Sequence, residues 1–374
     1  MAGIAFELAR PEDDEALRRL LRENPMAGRI AVSLEREPSY FRAAAVEGPF
    51  HQVAVGRDEE TGEVAGMGSR SIRPVFLNGK VREIGYLSQL RVLHRPGKPL
   101  FVSRGLSRGF GFMRELHRDG RTPFYLTSIV ADNLPARRLL TAGLAGYPRY
   151  SDYAPFNSYA IALGRRKPDL AVPSGVRIVR ASADHIPAIH ACLERNGPRR
   201  QFAPHWRPGI LFDPECTPDL SPEDFFVALR RDHVIGCISC WDQSGFKQAV
   251  VRSYAGALDR FRWLVNVGAR ALGWPALPAP NSPFRSCYAA HATVDGDDPD
   301  VFAALLRALY NHAAPAGFGY AMLGMSPGDP FARIAGAYRH VLYRSHLYLV
   351  AWEDGLEEVA RVDGRTPGPE AAVL

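Results

Sequence analysis

The sequence has little cysteine and no spacing among its cysteines that suggests covalent cross-links. Its 374 residues include five cysteines, an odd number without the pattern of a disulfide framework: Cys192, Cys216, Cys237, Cys240 and Cys287. Cys237 and Cys240 form a CxxC pair within a strand-like run, but no second pair accompanies them. Buried strand cysteines are therefore favoured over a zinc or redox site, and we predict no metal.

Membrane and export signals are also missing. No apolar stretch approaches the ~18 residues of a membrane-spanning helix. The first residues carry Glu7, Glu12, Asp13, Asp14 and Glu15, and such an acidic start is unlike a signal peptide. We therefore expect a cytoplasmic protein with no membrane partner.

The common catalytic motifs are absent as well, since the sequence has no Gly-x-Ser-x-Gly elbow, His-Glu-x-x-His pair or Walker loop. Its 46 basic and 40 acidic residues give a formal net charge of +6. No zinc finger, helix-turn-helix or aromatic RNA-binding signature accompanies that charge, so nucleic acid is a disfavoured partner. The length predicts two or three domains, and a hydrophobic content of 46% is enough to form their cores.

Positive charge is concentrated between residues 91 and 121, where Glu115 and Asp119 are the only acids. The basic residues of this segment are Arg91, Arg95, Lys98, Arg104, Arg108, Arg114, Arg118 and Arg121. A turn over residues 94–99 precedes a helical run, and Pro99 suits the first helical position. A pyrophosphate is favoured at such a helix start, next to Lys98. A solvated basic helix face is the alternative.

The order of elements around this turn is specific. A strand ends at Leu90, Arg91 and Val92, the turn and helix follow, and residues 124–130 have the content of a second strand. Asn133 or its neighbour Asp132 then caps another helix, with Pro135 in its first turn. This order resembles the GNAT superfamily of acyl-CoA-dependent acyltransferases.

The resemblance rests on Leu90 and Val92, on Gly97 and Lys98, and on Asn133 with Ala136, and it covers residues 4–162. Val92 and Asn133 lie 41 residues apart, close to the family's spacing. It implies binding of acetyl-CoA or another acyl-CoA by Leu90, Arg91, Val92, Arg95, Gly97, Lys98, Leu100, Ser128, Asn133 and Ala136. The loop departs from the family pattern, because Gly97 stands at the usual arginine and Leu100 and Val102 replace two glycines. Residues 104–109 resemble the family loop by letters, but a loop there would shorten the helix.

An internal repeat organises the chain. The strand and helix of residues 6–22 recur at 176–195, with Arg180 standing 170 residues after Arg10. We predict the α/β (α+β) class: two tandem GNAT-like domains, each a mixed, mainly antiparallel sheet flanked by helices. Their bounds are 1–163 and 176–353, with a linker at 164–175 and a flexible tail at 354–374.

The second repeat keeps the outline without the basic turn. Residues 295–300 read Asp-Gly-Asp-Asp-Pro-Asp, and no base follows before Arg307. A pyrophosphate would meet like charge there, worth on the order of a kcal/mol per close pair. This half is therefore predicted to be a degenerate copy, since the loop also lacks the spacing of an EF-hand.

Amide-forming acyl transfer needs a polarised carbonyl, a base and a proton donor. In the family, a backbone N–H at the end of the cofactor strand polarises the carbonyl, which places that group near residues 90–92. Glu83 is the candidate base, and an ion pair with Arg82 or Arg91 is its alternative role. Leu140 occupies the family's usual tyrosine position, so Tyr147 and Tyr150 become the candidate acids, with packing as the alternative.

Two other features of the sequence have more than one interpretation. His291 is interpreted as a structural histidine rather than a group facing an acceptor. Residues 259–264 are predicted to form an amphipathic helix that covers part of the second domain, with a lid over the acceptor as the alternative. The predicted function is acyl transfer from acyl-CoA to a small-molecule or peptide amine. A non-catalytic scaffold and an aminoacyl-tRNA-dependent, peptidoglycan-bridge-type transferase remain alternatives.

Overall fold

The computed structural model describes residues 3–93 and 99–374, and for residues 99–104 it describes the backbone alone. The strands are β1 Ile4–Leu8, β2 Ile30–Glu35, β3 Phe50–Asp58, β4 Val64–Leu77, β5 Lys80–Val92, β6 Tyr125–Val130, β7 Arg149–Ala162, β8 Val176–Arg180, β9 Phe225–Arg230, β10 His233–Trp241, β11 Gln248–Tyr254, β12 Ser282–Pro283, β13 Ser286–Val294, β14 Tyr320–Met325 and β15 His340–Ala351. The α-helices are α1 Asp14–Glu23, α2 Tyr40–Ala44, α3 Pro99–His117, α4 Leu134–Leu140, α5 Ile186–Asn196, α6 Ala257–Arg260, α7 Arg262–Ala271, α8 Pro299–Ala313, α9 Ala332–Gly336 and α10 Leu356–Ala360.

The two repeats share one sheet of 12 strands in the order β1-β3-β4-β5-β6-β15-β7-β14-β13-β10-β9-β8. Within it β5 and β6 are parallel, as are β13 and β14, and the other neighbours are antiparallel. The order is symmetric about the central pair of β15 and β7. Counted inward from the two edges, each strand of the first half has an equivalent strand of the second half at the same position. The predicted mixed, mainly antiparallel sheet with flanking helices is confirmed, but one sheet runs through both halves.

Each half gives its last strand to the other. β15 comes from the second half, yet it lies against β6, with Leu347 opposite Ser128 and Val350 opposite Tyr125. β7 comes from the first half and pairs with β14. Between them β7 and β15 pair with each other over the whole length of β15, from His340 to Ala351. This exchange joins the halves through backbone hydrogen bonds as well as through side chains.

Helices cover the sheet and form separate cores with it. In the first half, Phe110 and Met113 of α3 pack with Leu140 of α4 against Tyr125 and Tyr348. In the second half α8 packs in the same way, with Phe302 stacked on Phe331 at 4.1 Å between ring centroids. A hairpin at Asn78-Gly79 joins β4 to β5, and positive φ angles of 52° and 76° at these two residues fit the tight turn for which Asn-Gly is a strong sequence signal.

Residues 354–374 were expected to form a flexible tail, and the structure corrects this. The segment begins with α10 and continues along the surface, where the Gln201 N–H donates to the Thr366 carbonyl at 2.9 Å. It ends with Ala372 and Val373 fully buried. Its polar composition is therefore compensated by long-range hydrogen bonds, which local sequence does not reveal.

A smaller sheet of order β12-β11-β2 also ties the halves together, since β2 belongs to the first and β11 to the second. The chain leaves β11 into α6 and α7. The predicted helix near residues 259–264 is present, but it does not cover the second half, because none of the residues of α7 is buried.

The exchanged strand should make both halves unfold together. Leu347 is fully buried in β15. Leu347→Ala should lower the free energy of unfolding by about 2–5 kcal/mol. Calorimetry should still show one transition whose calorimetric and van't Hoff enthalpies agree. Val341→Ala, at an exposed position of the same strand, should change stability by less than about 0.5 kcal/mol. Two separated transitions, with only one shifted by Leu347→Ala, would contradict this expectation.

Glu370 should make stability depend on pH. Burial raises its pKa from 4.5 to about 7, against the opposing effect of the amides of His291 and Ala372 and of Arg73. Because the folded protein holds this proton more tightly than the unfolded chain, the stability it contributes is complete below pH 4.5 and is lost as the pH rises through 7. The free energy of unfolding in urea should therefore be compared between Glu370→Gln and the wild type at pH 5 and pH 8. The difference should favour the variant more at pH 8 than at pH 5. Glu357→Gln, at an exposed position, is the control, and an equal difference at both pH values for Glu370→Gln would refute the assignment.

Candidate functional site

A wedge opens in the sheet where β5 and β6 separate. Their parallel pairing is limited to Gly85 with Tyr125 and Tyr86 with Leu126. Beyond this point the Thr127 hydroxyl donates to the Leu87 carbonyl at 2.8 Å, and the strands then diverge. On its other edge β6 stays paired with β15, so the opening is fixed on both sides.

A β-bulge lies beside this wedge. Met67 of β4 is opposite Arg91 and Ser69 is opposite Ser88, so Gln89 and Leu90 together face Gly68. Gln89 takes a positive φ of 54°, which is uncommon for a residue with a side chain. A bulge leaves its extra residue outside the ladder and turns backbone groups away from the partner strand. The bulge thus lies on β5 just beyond the last residue that pairs with β6, at the point where the sheet opens.

The wedge forms part of a cavity of about 940 Å³. Its walls come from both strands, from α3 and from the start of α4. Of the predicted cofactor residues, those that line it are Leu90, Arg91, Val92, Ser128, Asn133 and Ala136. Arg95, Gly97 and Lys98 lie outside the described residues, and of Leu100 the backbone alone is described, within α3.

The local structure at both helix starts follows the sequence. α3 begins at Pro99, and α4 is capped by Asn133, whose side-chain oxygen accepts the Ala136 N–H at 3.3 Å. The cap fixes the end of β6 relative to α4, which shapes the mouth of the cavity. Arg91 contributes a cation to this wall, and burial lowers the pKa of its guanidinium.

Of the three predicted catalytic residues, Tyr150 lines the cavity, whereas Glu83 and Tyr147 do not. The structure does not bring Glu83 to the cavity: it is exposed and its carboxylate accepts from Arg207 at 2.9 Å, a partner different from the predicted Arg82 or Arg91. Tyr147 packs on Phe110 with ring centroids 4.8 Å apart and does not line the cavity. Tyr150 does line it, and burial raises the pKa of its hydroxyl.

Sequence reasoning missed a buried carboxylate behind the wedge. Ser88 lines the cavity, and its hydroxyl donates to Glu47 at 2.8 Å. Glu47 is fully buried and pairs with Arg36, while His51 lies 3.6 Å from its second oxygen. Burial alone would raise the pKa of Glu47, but Arg36 and His51 outweigh burial and hold it well below its usual range. The carboxylate is thus ionised and orients Ser88; a single glutamate after four apolar residues gives no sequence signal for this role.

Tyr86 was also missed. It sits at the last paired position of β5, and it lines both the large cavity and a second cavity of about 30 Å³ between the halves. Burial raises the pKa of its hydroxyl, so Tyr86 stays protonated at neutral pH. In a strand that ends at residues 90–92, Tyr86 and Ser88 are two positions apart and share one face, and this alternation was the available signal.

The second half repeats the bulge but not the open wedge. Cys237 is opposite Thr293 and Ser239 is opposite Ala290, and His291 takes a positive φ of 56° like Gln89. Here the His291 N–H donates to Glu370 at 2.8 Å. Residues 370–373 pack into the space between β13 and β14, and a Cβ on Gly324 would come within 2.5 Å of Ala371. The chain itself therefore fills the second wedge.

The acidic loop of the second half is neutralised internally. Asp295 accepts two hydrogen bonds from Arg195, at 2.8 and 3.0 Å, and Asp297 pairs with Arg199 and Arg200. Asp298 caps α8 by accepting the N–H groups of residues 300 and 301. These bonds occupy both the loop and the helix start where a phosphate would bind.

The remaining candidates have structural surroundings. His291 is buried against Trp206, with ring centroids 4.6 Å apart, and burial lowers its pKa to about 3, so its ring is neutral. Cys237 and Cys240 are buried in β10 as free thiols. Across the described part of the chain, no group of His, Cys, Asp or Glu is arranged to hold a metal, and no helix is long and apolar enough to cross a membrane.

No protein-family profile matches the chain, and no curated protein matches it in sequence. Its structure is similar to a GCN5-related N-acetyltransferase from Sphaerobacter thermophilus, at 15% identity and a TM-score of 0.54 over 92% of this chain and 95% of the other. It is also similar to the glucosamine N-acetyltransferase region of a fungal multi-domain GH3 β-N-acetylglucosaminidase, at 14% identity and 0.59 over 93% and 38%. Saccharomyces cerevisiae N-myristoyltransferase with bound myristoyl-CoA matches at 11% identity and 0.58 over 92% and 82%. At such identities the likeness concerns the fold, and the chain has the fold of the GNAT superfamily.

Proposed function

We propose that this protein is an acyltransferase that uses acyl-CoA at the wedge of its first half and passes the acyl group to an amine. The observation that carries the proposal is the coincidence of a strand opening, a bulge and a large cavity at one place. Fold neighbours whose names describe N-acetyl transfer and bound myristoyl-CoA support the same class of reaction. Residues 1–163 would hold the donor and residues 176–353 would support the acceptor side.

The donor supplies an activated thioester, and the chain would bind and polarise it. The pantetheine arm would lie between β5 and β6, beside Ser128 and Leu90, which line the cavity, and would take the place of the missing ladder. A backbone N–H at the bulge is the donor we assign to the thioester carbonyl, since hydrogen bonds aimed at developing charge are a large catalytic term. Asn133 and Ala136 line the same cavity, and Arg95, Gly97 and Lys98 remain the predicted phosphate contacts.

The acceptor amine would approach from the face that carries Tyr86 and Ser88. Because Ser88 donates its proton to the ionised Glu47, its oxygen remains free to accept an N–H from the amine. We assign Ser88 to amine binding and Glu47 to its positioning. Tyr150 is the proposed proton donor to the departing thiolate, since it lines the cavity and its raised pKa keeps the hydroxyl protonated. As the C–N bond forms and the C–S bond breaks, the proton lost by the amine nitrogen would pass through water in the open cavity and restore the Tyr150 hydroxyl.

The donor assignment is tested by isothermal titration with acetyl-CoA and longer acyl-CoAs. The wild type should bind at least one of them. Lys98→Glu should abolish binding because it reverses a charge at the predicted phosphate turn, and Asp298→Lys should leave binding unchanged. Equal losses of acyl-CoA affinity in both variants would contradict the assignment of the donor site to the first half. No binding of any acyl-CoA would sink the donor assignment, and binding without turnover across a screen of amines would favour the non-catalytic scaffold. Aminoacyl transfer from tRNA in place of acyl-CoA would favour the third alternative.

The acceptor assignment is tested at Ser88. With an amine found by that screen, Ser88→Ala should lower kcat/KM for the amine about tenfold, the scale of one lost hydrogen bond to a charged or polar group. Its affinity for acyl-CoA should be unchanged. Ser71→Ala is the matched control, because Ser71 is buried opposite Tyr86 on β4 and does not line the cavity. A Ser88→Ala enzyme as active as the control would rule out this role.

A further inference from the structure

Helix α7 presents its apolar side to solvent. The large apolar residues of this region are each between 40% and 65% exposed: Phe261, Trp263, Leu264, Val265, Val267 and Leu272. A helix on a globular protein normally turns such residues toward the core. Here they form a wide arc around Leu264 on the outward side of the helix.

The polar side of α7 is fastened to the protein. Arg262 donates to the carbonyls of Leu277 and Pro278, each at 3.2 Å. Asn266 donates to the Leu277 carbonyl at 3.0 Å and accepts the Leu277 N–H at 2.7 Å. Residues 262 and 266 are one helical turn apart, so these four bonds fix the rotation of the helix. The outward direction of the apolar arc is therefore built into the fold.

The size of the arc limits what it can bind. The arc comprises six large apolar residues on or directly beside a helix of ten residues. A stable protein interface uses about 20–30 residues of each partner, several times more. A helix lying in the surface of a bilayer has no such requirement, because its apolar face enters the headgroup boundary alone.

The residue types and charges favour lipid. Trp263 and Phe261 are amphipathic or bulky aromatic residues of the kind found in interfacial helices. Arg260 lies just before α7 and Arg270 near its end, both are exposed, and Asp259 is the only acid between residues 257 and 273. Such arginines are attracted to anionic headgroups by about 1 kcal/mol each.

The helix is also connected to the rim of the large cavity. Tyr254, just before α6, pairs with Ile30 of β2, and Val32 of the same strand bridges to Met26. Met26 and Leu34 line the cavity and are themselves exposed apolar residues. β2 thus links the segment that precedes α6 to residues that line the cavity.

We propose that α7 lies in the surface of an anionic lipid bilayer and seats the protein there with the mouth of the first-half cavity next to the membrane. Lipid binding itself does not depend on acyl transfer. The orientation of the cavity rests on the proposed function, since a membrane is where long-chain acyl donors or acceptors would be met.

The test is sedimentation of the full-length protein with vesicles of phosphatidylcholine alone and of phosphatidylcholine mixed with phosphatidylglycerol. The wild type should bind the anionic vesicles, and more weakly as salt is raised. The combined variant Trp263→Gln, Leu264→Gln, Val267→Gln should bind at least about tenfold more weakly. Arg260→Glu with Arg270→Glu should remove the preference for anionic vesicles. The control Val81→Gln, Leu144→Gln, Leu170→Gln changes three exposed apolar residues elsewhere and should bind like the wild type.

Three results would overturn the proposal. The first is a wild type that does not bind anionic vesicles, and the second is an α7 variant that binds as well as the control. The third is an α7 variant that still binds vesicles but has lost another property of the wild type. Loss of a concentration-dependent dimer would identify a second copy of the chain as the partner of α7. Loss of acyl-CoA affinity would identify α7 as a lid over the cavity. Titration with acyl-CoA in the absence of vesicles keeps a failure of this proposal distinct from a failure of the proposed function.

Discussion

The pairing of β7 with β15 is the interaction on which the rest of the structure depends. All of β15, from His340 to Ala351, is matched by β7, and each strand then completes the sheet of the opposite half. Without β15, β6 would have a free edge and the wedge beside Tyr86 would lack its fixed far wall. The geometry of the first-half site is thus held by a strand that belongs to the second half. A pair of independent domains would not have this dependence.

The same symmetry makes the difference between the halves clear. Both have a parallel strand pair that parts and a bulge with a positive φ, at Gln89 and at His291. In the first half a cavity follows, whereas in the second half Glu370 accepts the bulge N–H and the adjoining residues fill the space. Arginine pairs occupy the acidic loop as well. In the second half the chain's own residues therefore occupy the space that corresponds to the wedge of the first half.

Much of the first-half layout was predictable because it depends on local chemistry. Pro99 opens α3 and Asn133 caps α4 because a proline lacks the N–H that a helix start leaves unpaired and an asparagine side chain supplies the missing acceptor. The Asn78-Gly79 hairpin followed from the positive φ that its turn requires. The acidic charge of residues 295–300 alone predicted that a phosphate would be disfavoured there. The arginines that pair with this loop could not be predicted. Glu83 lies away from the cavity, because its place on the strand was inferred without knowing where the sheet would open.

The sequence by itself determined the order of strands and helices, the caps, and the half in which a phosphate would meet positive charge, because each of these depends on residues a few positions apart. Only the tertiary structure decided the exchange of the last strands, the Ser88 contact with Glu47, the filling of the second wedge by residues 370–373 and the outward face of α7. Most of these contacts join residues far apart along the chain, from 41 positions for Glu47 with Ser88 to more than 200 for Ser128 with Leu347, whereas the bonds that orient α7 span 11 to 16 positions. No periodicity or propensity encodes such pairs, because they become neighbours only when the sheet closes around them.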